Sequence, residues 1–217
     1  WPDSGAGQLL AQTQRVALLD EGLYYADGQQ HDEVYEYGSF LQSRMYRAGV
    51  TCGDCHDAHR STTRLAGNAV CATCHLRSTY DTTSHTHHDT NTAGGMCVDC
   101  HMPARTYMGV DARRDHGMKV PRPDLTMALG TPDACSGCHA DKPAAWSTAA
   151  AERWYGVPAV DPMPAAVAMA GAWARTPGAG DALVAISRDT ARPGIVRATA
   201  LTLMPQNPAR YTVSAIQ

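Results

Sequence analysis

Four copies of one five-residue pattern constrain this chain more than anything else in it. Cys52-Gly53-Asp54-Cys55-His56, Cys71-Ala72-Thr73-Cys74-His75, Cys97-Val98-Asp99-Cys100-His101 and Cys135-Ser136-Gly137-Cys138-His139 all read CxxCH, and together they use all eight cysteines. CxxCH is the attachment pattern of haem c. Two thiols add across the two porphyrin vinyl groups, whose separation a two-residue spacer spans, and the next histidine places an imidazole nitrogen on the iron. The expectation is four covalently held haems c. Cys52, Cys55, Cys71, Cys74, Cys97, Cys100, Cys135 and Cys138 form the thioethers, and His56, His75, His101 and His139 are the proximal ligands.

Two rival uses of the cysteines are four disulfides and a zinc ribbon, for which Cys55 and Cys71 have suitable spacing. Neither requires a histidine after every second cysteine. With histidine at 10 of 217 residues, four such coincidences arise by chance about once in 10⁵ or more rarely. Haem attachment accounts for all four, and with no cysteine left over no disulfide is expected.

Six histidines lie outside the motifs: His31, His59, His85, His87, His88 and His116. A six-coordinate haem takes a second axial ligand, usually His or Met. His59, His85, His88 and His116 are the expected distal ligands, one per iron. His59 follows proximal His56 too closely to reach over the same haem and must serve a neighbour. His87 is the alternative to His88, and His31 is far enough upstream to act across a contact with another chain. Met45, Met96, Met102, Met108 and Met118 also lie near the motifs, but a methionine against a porphyrin edge is more often soft packing. Arg44, Arg47, Arg105, Arg113, Arg114, Lys119 and Arg122 are candidates to meet haem propionates.

Composition supports a cofactor core. Residues 51–140 are poor in Leu, Ile and Val, and the whole chain has one Phe. Such a stretch cannot build a sufficient core from side chains alone, a gap that metals or cofactors commonly fill. A net charge of −3 without a basic run excludes a nucleic-acid or membrane-surface footprint. No segment approaches the roughly 18 apolar residues of a spanning helix. The chain opens at Trp1, as expected of a mature chain whose leader has been removed or of a piece of something longer.

Residues 9–20 and 34–48 read as helices, the second from the spacing of Val34, Tyr37, Leu41 and Met45 before Gly49. Residues 51–140 read as irregular, with short helical turns at the motifs and a long loop from Met102-Pro103 to Thr131-Pro132. Pro121 and Pro123 rule out a long helix there. After His139 alanine dominates, and 143–155, 164–175, 179–188 and 193–204 read as helices. Gly156-Val157-Pro158, Thr176-Pro177-Gly178 and Arg192-Pro193 separate them. This spacing suggests antiparallel helical hairpins of an α-solenoid kind, read as scaffold or docking surface. The fold class expected is mainly α with much irregular structure: a haem-cored cytochrome c region followed by short helical hairpins.

The run Tyr35-Glu36-Tyr37-Gly38-Ser39-Phe40-Leu41-Gln42-Ser43-Arg44-Met45, then Gly49-Val50-Thr51-Cys52, resembles a family of large bacterial multihaem cytochromes fused to HEAT-like or tetratricopeptide repeats. So do His101-Met102-Pro103-Ala104-Arg105-Thr106-Tyr107-Met108 and Val120-Pro121-Arg122-Pro123-Asp124-Leu125, while Arg197-Ala198-Thr199-Ala200-Leu201 looks like the start of its repeats. The resemblance runs from about residue 15 to the end. It extends distantly to multihaem nitrite- and hydroxylamine-converting cytochromes. The organisation expected from the motifs and composition is a helical lead-in over 1–50, a tetrahaem region over 51–140 and an Ala-rich, HEAT-like helical region over 141–217. The resemblance also supports His59, His85, His88 and His116, which sit where the family has histidine.

Three functions follow as expectations. The first is electron transfer through four closely packed bis-His haems, with other redox proteins or further copies of the chain as partners. The second is a reductase of small nitrogen or sulfur oxyanions at one open haem. Against it, all four motifs keep their histidine, whereas the ammonia-forming nitrite reductases replace one by lysine. The third is a subunit of a cytochrome polymer, with an axial histidine such as His31 donated across an interface. Haem c is attached outside the cytoplasmic membrane, so a periplasmic or extracellular location is expected.

Overall fold

Between Arg44 and Thr106 the one buried residue among those described is Gly95. The computed structural model describes residues 12, 14, 16–60, 62–156 and 164–209. Through the 44–106 stretch the backbone forms only short pieces: helix α2 (Arg44–Arg47), α3 (Cys52–Cys55), strands β1 (His56–Asp57) and β2 (Thr62–Thr63), α4 (Arg77–Tyr80), α5 (Thr83–Thr86) and α6 (Cys97–His101). Helix α1 (Glu36–Phe40) precedes them. The elements that follow are β3 (Ala104–Tyr107), β4 (Asp111–Arg114), α7 (Pro123–Leu129), α8 (Ala144–Tyr155), α9 (Ala165–Trp173), α10 (Ala179–Arg188) and α11 (Gly194–Leu203). The fold is mostly helical with irregular segments, as expected from the sequence, and the described residues also form two antiparallel two-stranded ribbons that the sequence does not anticipate.

The protein core lies elsewhere, in α9–α11. Leu183 and Ala200 are fully buried, and Met169, Ala172, Ile186, Ile195 and Val196 pack around them. The many alanines let these helices approach closely, as does Gly180, where a Cβ would stand 2.3 Å from the Asn207 carbonyl oxygen. Leu19 and Tyr24 join this cluster from the other end of the chain. The Leu19 N–H donates to the Thr199 hydroxyl at 3.1 Å, and Arg47 donates to the Ala191 carbonyl. The segment that carries the four CxxCH motifs is therefore a long excursion whose two ends return to one helical block. Truncating Leu183 to Ala should cost about 2–5 kcal/mol, the range for emptying a well-packed aliphatic site. Chemical denaturation followed by far-UV circular dichroism measures it.

Helices α8–α11 fall where punctuation by Gly and Pro places them. The single helix expected over 34–48 is instead two, α1 and α2. Ser43 interrupts it with extended backbone (φ −71°, ψ 150°), and its hydroxyl caps α2 by accepting from the Tyr46 N–H. Ser39 is likewise fully buried, donating to the Asp115 carboxylate. The loop expected from 102 to 132 holds the β3–β4 hairpin and α7. Pro123 does not break α7 but begins it, at a first-turn position whose N–H has no partner to lose. Of the helix expected over 9–20, residues 9–11, 13 and 15 lie outside the described residues, and residues 16–20 are not helical. Among the described residues, no helix is long and apolar enough to cross a membrane.

Candidate haem-binding sites

Each motif is one tight turn with its own local brace. In the first, the Thr51 N–H and hydroxyl donate to Asp54 at 2.7 and 2.9 Å, closing a cap on α3. Those bonds hold the Asp54 carboxyl below its usual range. The second motif is a 3-10 turn, Cys71–Thr73. The third is α6, whose first N–H, on Cys97, donates to the Asn68 side chain at 2.9 Å. In the fourth, Asp133 accepts from the N–H groups of Cys135 and Ser136 at 2.8 and 3.0 Å. The spacer residues thus curl the backbone so that both thiols and the histidine belong to a single turn.

The histidines then pair across the fold. His56 faces His116 with ring centres 6.2 Å apart, His101 faces His85 at 6.2 Å, and His139 faces His88 at 6.1 Å. Each pair joins one motif histidine to one from outside the motifs. Rings this far apart do not touch. An imidazole nitrogen bonds a transition metal at about 2.0–2.1 Å and lies about 1.1 Å from its own ring centre, so two imidazoles on opposite sides of one metal have centres about 6.2–6.4 Å apart. The three separations match that spacing.

Their outer nitrogens are fixed as well. Nδ1 of His88 lies 2.7 Å from the Thr86 carbonyl, Nδ1 of His101 2.8 Å from that of Lys119, and Nδ1 of His116 2.9 Å from that of Arg114. A carbonyl on Nδ1 holds the proton there and leaves Nε2 as the lone-pair donor, the arrangement metal-binding histidines use. Burial, with lesser help from His101 and His87, lowers the His85 pKa and favours the neutral imidazole, the form able to bind a metal. The His116 turn is tied down by Asp115, a buried carboxylate that accepts from the N–H groups of Gln30 (2.9 Å) and Gly117 (2.6 Å) and from the Ser39 hydroxyl.

His75 stands apart. It is exposed, and the ring beside it is Tyr80, edge-on at 5.6 Å, rather than an imidazole. His59 is also exposed, in the β1–β2 turn, with no ring partner among the described residues. His31 is exposed with Nδ1 2.9 Å from the Gly22 carbonyl and its ring edge-on to Tyr25. His87 lies against Trp154. Of the basic residues considered for propionates, six engage protein groups: Arg47 with Ala191, Arg105 with Tyr25, Arg113 with Glu33, Arg114 with Asp99, Lys119 with Asp27 and Arg122 with Asp124.

The thiols show which motifs are neighbours. Burial raises all of those shifted, Cys71 and Cys135 to about 11, with nearby thiols adding to it. Cys55 feels Cys74, Cys71 feels Cys97 through a side-chain hydrogen bond, and Cys100 feels Cys138. Consecutive motifs are thus adjacent in space. Among the described residues, no group of three or more His, Cys, Asp or Glu side chains is placed to hold a metal ion. The residues present fit haem c: thiols in pairs on one turn, imidazoles in opposed pairs, and a segment with almost no side-chain core of its own.

Sequence reasoning missed the part played by α8. Trp146 lies 4.8 Å from the His139 ring, while Trp154 and Tyr155 reach the His85–His88 stretch. A cluster of aromatics on an otherwise Ala-rich helix, facing a CxxCH-bearing segment poor in apolar residues, was the available signal.

No family model and no curated protein matches the chain. Among solved structures, the outer cell wall cytochrome OcwA is similar at a TM-score of 0.43 and 16% identity, over 86% of this chain and 53% of that one. The chain therefore spans about half the length of that protein.

Proposed function

We propose that this chain carries four haems c and transfers electrons through them. The observation that carries the reading is the set of three imidazole pairs, each uniting a CxxCH histidine with a distant histidine at the separation one iron requires. Bound haem supplies an iron that cycles between ferrous and ferric states. The eight motif cysteines would anchor the haems at fixed turns. The pairs His56–His116, His101–His85 and His139–His88 would hold three of the irons, which would then serve electron transfer and not substrate binding. His59 is assigned to the iron of His75, because it leaves the first motif, whose Cys55 thiol neighbours Cys74. The exposed surface beside His75, with Leu76 69% and Tyr80 45% exposed, is where another redox protein or a further copy would approach. Attachment of haem c takes place outside the cytoplasmic membrane, so the chain works in the periplasm or outside the cell.

Intact mass should exceed that of the polypeptide by four haems, and denatured protein should yield no alkylated thiol. A reactive thiol or a missing haem would overturn the count. The lone position of His75 favours a second reading, a reductase of small nitrogen or sulfur oxyanions at that iron. Ferric protein that takes up nitrite or cyanide at rest, and does so equally after His59→Ala, would establish it.

A further inference from the structure

Two of the three imidazole pairs draw their non-motif histidine from one stretch, residues 85–88. That stretch is gripped from two sides. On one side is the end of α8. The Tyr155 hydroxyl donates to the His85 backbone carbonyl, and its ring lies 6.2 Å from the His85 ring. Trp154 lies flat on His87, with ring centres 4.4 Å apart and planes 9° apart, and meets His88 edge-on at 6.4 Å. His87 itself has φ 54°, the left-handed backbone that a residue with a Cβ adopts only when its surroundings hold it. On the other side is the 3-10 turn Ala93–Gly95. A Cβ on Gly94 would stand 2.4 Å from Cδ2 of His88, so the turn meets the ring at a distance only glycine allows.

We propose that Trp154 and Tyr155 are positioning residues of a single clamp that sets the axial ligation of two haem irons. Tyr155 acts through His85 on the iron of His101. Trp154 acts through the left-handed His87 and through His88 on the iron of His139. The helix after the last motif is then a controlling part of the haem region as well as scaffold. This deepens the proposed function and rests on its assignment of His85 and His88 as axial ligands.

The test uses the haem-loaded protein, read by electron paramagnetic resonance, redox titration and cyanide binding, with far-UV circular dichroism as the folding control. Trp154→Leu removes the flat surface and should make the iron of His139 bind cyanide at rest, with loss of one low-spin signal. Trp154→Phe keeps a ring against His87 and should restore much of that signal. Tyr155→Phe deletes only the hydroxyl and should shift the midpoint potential of the iron of His101 while leaving that of His56–His116 unchanged. Gly94→Ala approaches from the opposite side and should release His88, giving the same loss as Trp154→Leu even if the latter folds poorly. His85→Ala and His88→Ala separate the two levels of the reading. Each should cost one low-spin iron, and if neither does, the ligand assignment itself has failed. If both do, while Trp154→Leu, Tyr155→Phe and Gly94→Ala keep native spin states and potentials, the clamp is refuted and the ligand assignment stands.

Discussion

Changing all eight cysteines to alanine should leave residues 44–106 without fixed tertiary structure, while the helices beyond residue 164 stay folded. Fixing a residue's backbone costs about 1–2 kcal/mol, which burial must offset. Across 44–106 the described residues bury only Gly95, so protein contacts there supply almost none of that offset. The four proposed haems, each apolar on both faces, would be the remaining source of buried surface. The α9–α11 core has its own Leu183, Ile186 and Ala200 and does not need them. Hydrogen exchange resolves the two regions: amides of 44–106 should exchange at nearly unprotected rates, and those of α10 and α11 should remain slow. Cooperative protection across 44–106 without haem would refute a cofactor-cored segment.

Replacing His116 with alanine should convert one iron from low to high spin and leave the others as they were. The His116 ring centre is 6.2 Å from that of His56, and the turn carrying it is fixed by Asp115 and by the Arg114 carbonyl. Among the described residues, no other histidine has its ring against His56 to replace it, so the vacated position would fall to water or an added ligand. The pairs His85–His101 and His88–His139 are held by different elements. The readouts are a high-spin charge-transfer band equivalent to one haem and cyanide uptake at one site. An unchanged spin state would remove His116 from the ligand set.

What the sequence made legible was local. CxxCH is a contiguous chemical requirement, so candidate attachment cysteines and motif histidines could be proposed without a fold. Helices α8 to α11 are bounded by Gly and Pro at Gly156, Gly178 and Pro193, and their limits followed within a residue or two. Partner assignments were less accessible, because the choice of His116 for His56, or of His85 rather than His87 for His101, depends on how distant segments are brought together. The break between α1 and α2 was hidden for a related reason. Its cause is a pair of serines whose hydrogen bonds, one of them to Asp115 far along the chain, outweigh an uninterrupted helical pattern. The attachment of Leu19 and Tyr24 to the C-terminal core left no periodic trace, since single side chains carry it.

That last attachment bears on the order in which the molecule is made. Leu19 and Tyr24 find their partners in α9–α11, and the Leu19 N–H finds its acceptor on Thr199. A chain synthesised and threaded from its N-terminus exposes 16–24 long before 165–204 exist, so the core cannot close early, and contacts this distant form slowly in any case. All four attachment motifs, from Cys52 to His139, emerge within that interval. On the proposed reading, the chain would therefore remain open to haem attachment, since the element that completes the helical block arrives only after the last cysteine pair has been presented.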